Sequence, residues 1–66
     1  MSIIGDRLKV LRYKRKIKIP TIIRELNIAR STYTGYELGR RNPDGKSLAK
    51  LADILDTSVD YIVGVT

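Results

Sequence analysis

Helix starts and stops in the middle of the chain are the feature that most constrains its fold. Pro20 suits the first turn of a helix, where its missing N–H costs little. Asn27 and Gly39 are residue types that accept the left-handed conformation just past a helix end. This spacing predicts a short helix that begins near Pro20 and ends at Asn27. After a brief turn, a further helix is predicted over residues 30–38.

The N-terminal segment has the apolar spacing of a first helix. Ile4, Leu8 and Leu11 fall on one face of it, and most of the residues between them are charged. Asp6 is a good N-cap residue, because its carboxylate can accept a hydrogen bond from a free backbone N–H. We therefore expect the helix to begin near Asp6 and to run to about Arg15.

A connector joins these first two predicted helices. Residues 16–19 alternate between Lys and Ile and could pass for a strand fragment, but they are too few to pair usefully. We interpret them as a connection with Ile17 anchored inward. In the helix that follows, the predicted inward side chains are Ile22, Ile23 and Leu26.

Two more helices are predicted in the last third of the chain. Residues 40–43 form a loop, because Asn and Pro favour turns, and Asp44 can cap the helix that follows. The apolar residues of that helix recur at helical spacing, as Leu48, Leu51, Ala52 and Leu55. A fifth helix over residues 59–63 would end at Gly64, and its predicted inward residues are Tyr61 and Ile62. The prediction is an all-α fold of five short helices.

Length and composition limit what such a fold can do. The 66 residues suffice for one domain, residues 1–66, which buries only about 60% of the surface of its unfolded chain. The chain has no Cys and no His, which removes thiolate metal sites and the commonest general base. Its seven carboxylates, without a Gly-rich loop, argue against an enzyme, so we expect no cofactor, metal or small-molecule substrate. Since neither a membrane span nor a signal peptide is recognisable, we expect a cytoplasmic protein.

The positive charge is concentrated in the first two thirds of the chain. The formal net charge is +6, but residues 1–41 hold eleven bases and three acids, whereas residues 42–66 hold two bases and four acids. A basic region joined to a mildly acidic one favours an oriented approach to a polyanion. A basic protein with no such partner would show the same total charge, so the pattern alone leaves both interpretations open.

The stretch from Ile19 to Glu37 resembles the helix-turn-helix of the lambda-repressor-like (Cro, Xre-type) DNA-binding domains. The similarity extends through residues 31–39, Pro43 and residues 58–64. It implies a compact five-helix domain in which the second and third helices form the motif. The positions that the family keeps hydrophobic are occupied here by Ile22, Leu26, Ile28, Tyr33 and Tyr36, which we expect in the core.

The chain also departs from the family pattern, which suggests a divergent member with its own target sequence. Lys18 stands where the second helix usually begins with Ser or Thr, and Ile23 where a small residue is usual. Ala29 replaces the Ser or Thr cap of the third helix, a loss of about 1 kcal/mol. Gly35 replaces a long polar residue.

The resemblance implies that the third helix lies in the major groove of double-stranded DNA. The residues expected to contact bases are Arg30, Ser31, Thr34 and Gly35. Arg30 is the foremost of them, because a guanidinium pairs bidentately with guanine, although a phosphate contact or a solvated side chain remains the alternative. The residues expected to contact phosphates are Lys18, Thr32, Arg40, Arg41 and Asn42. Arg12 and Glu37 match a pair that bridges the first and third helices in the family.

The resemblance also implies a dimer on a pseudo-palindromic operator, as for a phage or mobile-element repressor in a bacterial cytoplasm or a phage-infected host. The expected homodimer surface is the C-terminal helix region, with Tyr61, Ile62, Val63 and Val65. The acidic fourth and fifth helices would point away from DNA. The chain could be the N-terminal domain of a longer repressor. The alternative function is an antitoxin or anti-regulator whose main partner is a protein, whereas RNA binding is disfavoured because no stacking-aromatic pattern is present.

Overall fold

The computed structural model describes residues 2–66, and Met1 lies outside them. Within this range the chain forms five helices and no strand: α1 (Ile3–Arg15), α2 (Ile19–Leu26), α3 (Arg30–Leu38), α4 (Gly45–Ile54) and α5 (Val59–Val63). The predicted all-α, five-helix fold is confirmed. None of the described helices is long and apolar enough to cross a membrane. Nor do the side chains of residues 2–66 form a group of three or more His, Cys, Asp or Glu that could hold a metal ion.

The start of α1 differs from the prediction. Its N-cap is Ser2, whose hydroxyl accepts a hydrogen bond from the Gly5 N–H at 3.1 Å. Asp6 lies in the first turn, and its own N–H donates to the Ser2 carbonyl at 2.9 Å. The prediction that Asp6 caps this helix is therefore wrong. An acidic residue is also favourable inside the first turn, where it faces the positive end of the helix dipole.

The other helix ends follow the expected chemistry. α2 and α3 are followed by Asn27 and Gly39, both in the left-handed conformation with φ of 56° and 77°. The carboxylate of Asp44 accepts a hydrogen bond from the Ser47 N–H at 2.8 Å and caps α4. This backbone hydrogen bond holds the pKa of Asp44 below its ordinary value. The left-handed Lys16 that ends α1 was not predicted.

One aliphatic and tyrosine core joins all five helices. Its buried members are Leu8, Leu11, Ile22, Leu26, Tyr33, Tyr36, Leu51, Ala52, Leu55 and Ile62. Ile17, Ile23, Ile28 and Leu48 pack against it partly buried. The inward placement predicted for the core residues and for these four side chains is confirmed. α1 packs against α3 and α5, α4 packs against α2 and α5, and α2 packs against α3.

Tyr61 is the apolar residue whose predicted placement is wrong. Its side chain is 37% exposed, whereas the adjacent Ile62 is fully buried. α5 is so short that only one side of it can face the core, and Ile62 takes that side. The Tyr61 ring instead lies under the guanidinium of Arg7, 4.2 Å from the ring centroid. Ile62 is correspondingly unavailable to a partner molecule, which corrects its inclusion in the expected dimer surface.

The crossing of α1 and α3 is unusually close at Gly5. A Cβ built on this residue would lie 2.7 Å from the carbonyl oxygen of Tyr36 and 2.9 Å from the carbonyl carbon of Glu37, and still closer to the oxygen of Glu37. Only a residue without a side chain fits between the two backbones. Gly5 therefore sets the distance between the first helix and the helix expected to enter DNA.

Candidate nucleic-acid interface

The two faces of α3 have opposite characters. Tyr33 and Tyr36 are buried on the inner face, where their rings meet edge to face with centroids 6.1 Å apart. Arg30 and Ser31 are exposed on the outer face, and Thr34 is half-buried there. Offsets of three and four residues bring these side chains onto one strip. The strip is open to solvent because the tyrosines hold the opposite face in the core.

A shallow cleft runs along this strip into the loop that follows α3. It is lined by Arg30, Ser31, Thr34, Gly35, Leu38, Arg40 and Arg41. All four residues expected to contact bases therefore line one continuous surface, together with two of the residues expected to contact phosphates. Gly35 itself is buried, because the aliphatic part of the Arg41 side chain lies over it.

The remaining residues expected at phosphates flank the strip. Lys18 is exposed as the N-cap residue of α2 and shares a second cleft with Arg30, so the starts of α2 and α3 lie side by side. Thr32 is half-buried and Asn42 exposed. Within the described residues, neither Thr32 nor Asn42 lines either of these clefts.

A hydrogen-bonded group of three side chains ties α3 to α1. The guanidinium of Arg12 donates to both carboxylate oxygens of Glu37, at 2.6 and 3.1 Å. The hydroxyl of Tyr33 donates to one of the same oxygens at 2.6 Å. The Arg12 and Glu37 side chains are only 12% and 10% exposed. This bidentate, largely buried geometry fixes α3 against α1 more firmly than an exposed ion pair could.

The ionisation of this group follows from its contacts. Burial alone would raise the pKa of Glu37, but the hydrogen bonds from Arg12 and Tyr33 outweigh it and leave this pKa below its ordinary value. The hydrogen bond to Glu37 raises the pKa of Arg12. Burial, followed by the hydrogen bond to Glu37, raises the pKa of Tyr33. These three pKa shifts all favour an ionised Arg12–Glu37 pair beside a neutral Tyr33. Sequence analysis places Tyr33 in the core, with a phosphate contact by its hydroxyl as the alternative, and misses the hydrogen bond from that hydroxyl to Glu37.

The acidic residues of the C-terminal region lie outside α3. Asp53 and Asp60 are exposed on α4 and α5, and Asp56 lies 3.7 Å from Arg15 in an exposed ion pair. Within residues 2–66, α3 packs on α1 and α2 and not on α4 or α5. The strip on α3 is therefore flanked by basic residues, whereas Asp53 and Asp60 belong to helices that do not pack against α3.

Comparison with known protein families matches this arrangement to one of them. A family model described as helix-turn-helix covers residues 24–62, from within α2 through α3 and α4 to Ile62 in α5. The chain belongs to the helix-turn-helix family. This membership confirms the resemblance to lambda-repressor-like domains drawn from the sequence, and the matched residues include the whole of α3, which carries the strip.

Several relatives come from Bacillus subtilis (strain 168). The HTH-type transcriptional regulator AnsR is 46% identical over 59 residues, which are 89% of this chain and 51% of AnsR. The SPbeta prophage-derived HTH-type transcriptional regulator YonR is 37% identical over 59 residues, 89% of this chain and 55% of YonR. The HTH-type transcriptional regulator ImmR is 34% identical over 61 residues, 92% of this chain and 48% of ImmR. The chain spans about half the length of these curated relatives.

Proposed function

We propose that this chain is the DNA-binding domain of a transcriptional regulator, and that it binds double-stranded DNA sequence-specifically with α3 in the major groove. The observation that carries the proposal is the strip of Arg30, Ser31 and Thr34. It is the solvent-facing side of a helix whose other side is buried and bonded to α1. Support comes from the family match and from the relatives, which are HTH-type transcriptional regulators. The role is one of binding and not of catalysis.

In this proposal Arg30 reads a base. Its position at the first turn of α3 suits contact with base edges, because recognition helices approach the groove with their N-terminal residues. A guanidinium can donate two parallel hydrogen bonds to the O6 and N7 atoms of guanine. Ser31 and Thr34 can each bond to a base through a hydroxyl. Gly35 has no side chain to offer a base, and the stem of Arg41 covers its outer side.

The flanking residues contact the sugar-phosphate backbone and fix the register of the domain. The exposed residues beside the strip are Lys18, Arg40, Arg41 and Asn42, and Thr32 lies half-buried on its flank. Phosphate contacts of this kind supply much of the affinity without reading sequence, and they weaken as salt is added.

The regulator is proposed to be a phage or mobile-element type repressor that binds a pseudo-palindromic operator as a homodimer in a bacterial cytoplasm or a phage-infected host. The prophage-derived relative YonR supports the proposal of a phage or mobile-element type repressor. The exposed Val65 and Tyr61, with the half-buried Val63 between them, support a dimer surface at the C-terminal end. Half-sites would then lie one helical turn apart, about 34 Å.

The proposal is tested by selecting bound sites from random DNA and measuring binding by gel shift over a range of salt. The logarithm of affinity should fall linearly with the logarithm of salt concentration, and Arg40→Ala should flatten the slope by about 1. Lys50→Ala removes the same charge from an exposed position on α4, which does not pack against α3, and should leave the slope unchanged.

The base-reading part is tested with Arg30→Ala on the selected site. The loss should be about 1–3 kcal/mol and should relax specificity at one base pair in each half-site, while random DNA loses at most one phosphate contact. An equal loss on selected and random DNA would make Arg30 a phosphate contact. If substitutions of Ser31 and Thr34 also left the preferred sequence unchanged, the proposal would fail. A protein partner, as for an antitoxin or anti-regulator, would then be favoured.

A further inference from the structure

The outer face of α3 has a gap at Gly35. Arg30, Ser31 and Thr34 carry side chains along the strip, but Gly35, which continues the same face, carries none. A helix that reads bases with this face has no reading group there. The gap is nevertheless occupied, because the Cδ and Cγ atoms of Arg41 lie 3.2 and 3.3 Å from the point that a Cβ of Gly35 would take.

The backbone after α3 fixes Arg41 in this position. The N–H groups of Arg40 and Arg41 both donate to the carbonyl oxygen of Gly35, at 2.9 and 3.2 Å. The chain therefore turns back over the helix instead of leaving it, and the stem of Arg41 lies across the outer face. The ion pairs among residues 2–66 are Arg12–Glu37 and Arg15–Asp56, so no carboxylate of the described chain neutralises the Arg41 guanidinium.

We infer that Arg41 is a specificity-determining residue, which supplies from the loop the base-reading side chain that α3 lacks at Gly35. This inference rests on the proposed function. It moves Arg41 from the phosphate-contacting residues to the base-reading ones and leaves Arg40 at the backbone. The guanidinium on its stem would reach the base edges from the cleft it shares with Arg30 and Thr34, and guanine is the base whose two acceptors fit it.

The geometry also separates the base pair read by Arg41 from the one read by Arg30. Gly35 lies about 7.5 Å further along the axis of α3 than Arg30, at the usual rise of a helix. Because base pairs are spaced about 3.4 Å apart, a helix lying along the groove would bring Arg41 about two steps away. The two arginines should therefore specify different positions of each half-site.

The test uses the selected site and a panel of its single-base-pair variants. Arg41→Ala should lower affinity for the selected site about 5- to 150-fold and should abolish discrimination at one base pair, distinct from the one that depends on Arg30. Arg41→Lys keeps the charge but cannot form the bidentate pair, so it should retain affinity for random DNA and lose the same discrimination. Arg40→Ala is the matched control and should weaken binding to every panel member alike.

A second substitution disturbs the contact between Gly35 and the Arg41 side chain by changing Gly35. Gly35→Ala places a methyl group 3.2 Å from the Arg41 Cδ, so the arginine stem must shift although its charge is intact. Discrimination at the base pair assigned to Arg41 should fall, while the circular dichroism spectrum of the domain stays unchanged.

The possible outcomes separate this inference from the proposed function. A uniform loss across the panel for Arg41→Ala, or full discrimination by Arg41→Lys, would overturn the inference and leave sequence-specific binding intact. The absence of any preferred sequence for the unaltered domain would overturn both. Loss of discrimination at a single base pair with Arg41→Lys and Gly35→Ala would support the assignment, because neither variant removes a positive charge.

Discussion

Replacing Gly5 with alanine tests how closely α1 and α3 must cross. The new methyl group would lie 2.7 Å from the Tyr36 carbonyl oxygen, whereas ordinary contact begins at about 3.4 Å. To relieve this contact alone, α1 would have to move away from α3 by about 0.7 Å. The opposing atoms belong to the main chain and cannot rotate aside as a side chain would.

The expected cost is the difference between two effects. Overpacking of this kind costs about 1–3 kcal/mol, whereas alanine in place of glycine inside a helix gains about 0.5–1 kcal/mol. Because rigid backbone places the steric cost in its upper range, we expect Gly5→Ala to lower the free energy of unfolding by about 1–2 kcal/mol. In a domain of this size each kcal/mol lowers the melting temperature by about 4–8 °C.

Thermal unfolding followed by circular dichroism measures this cost. Gly45→Ala is the matched control, because nothing lies within 4 Å of the Cβ it would add at the start of α4. It should leave the melting temperature unchanged or raise it slightly. A Gly5→Ala variant that melts at or above the temperature of the unaltered domain would refute the reasoning, since it would mean that α1 and α3 have room for a side chain.

Two further predictions concern the core and the bond between α1 and α3. Leu51 is fully buried, so Leu51→Ala should cost about 2–5 kcal/mol, seen as loss of helical circular dichroism at 25 °C; an unchanged melting temperature would mean that this side chain does not face the core. Because the pKa of Glu37 is lowered in the folded domain, its contribution to stability is present above the ordinary value of 4.5 and is lost as pH falls through the folded pKa. Urea unfolding should therefore show the difference in stability between the unaltered domain and Glu37→Gln shrinking below about pH 4.5, and a constant difference would contradict the assigned charge.

The sequence could predict the motif helices closely because their boundaries depend on local chemistry. Pro20 at the start of α2, and Asn27 and Gly39 past the ends of α2 and α3, act through their own backbone preferences. The capping of α4 by Asp44 is local in the same way. The inner face of α3 is predicted from the resemblance, which places Tyr33 and Tyr36 in the core, where the structure has them.

Other features could not be predicted because they depend on contacts distant in sequence. Ser2 and Asp6 are both good N-cap residues, and local chemistry does not decide that α1 begins at the first of them, which brings Gly5 into the helix against α3. Apolar character alone cannot orient Tyr61 in a helix as short as α5, where the ring pairs with Arg7 instead. No spacing rule brings the Arg41 stem over Gly35, since that contact depends on how the loop turns back.

The two ends of α3 are held unequally, and this has a consequence for its motion. Ala29 at the N-cap offers no side-chain acceptor, so the first turn lacks a cap hydrogen bond, whereas the last turn carries Glu37 bonded to Arg12 and Tyr33. Local opening requires less free energy where fewer interactions must break. We therefore expect the N-terminal end of α3, which carries Arg30, to open at a lower free-energy cost than the end that Glu37 bonds to α1.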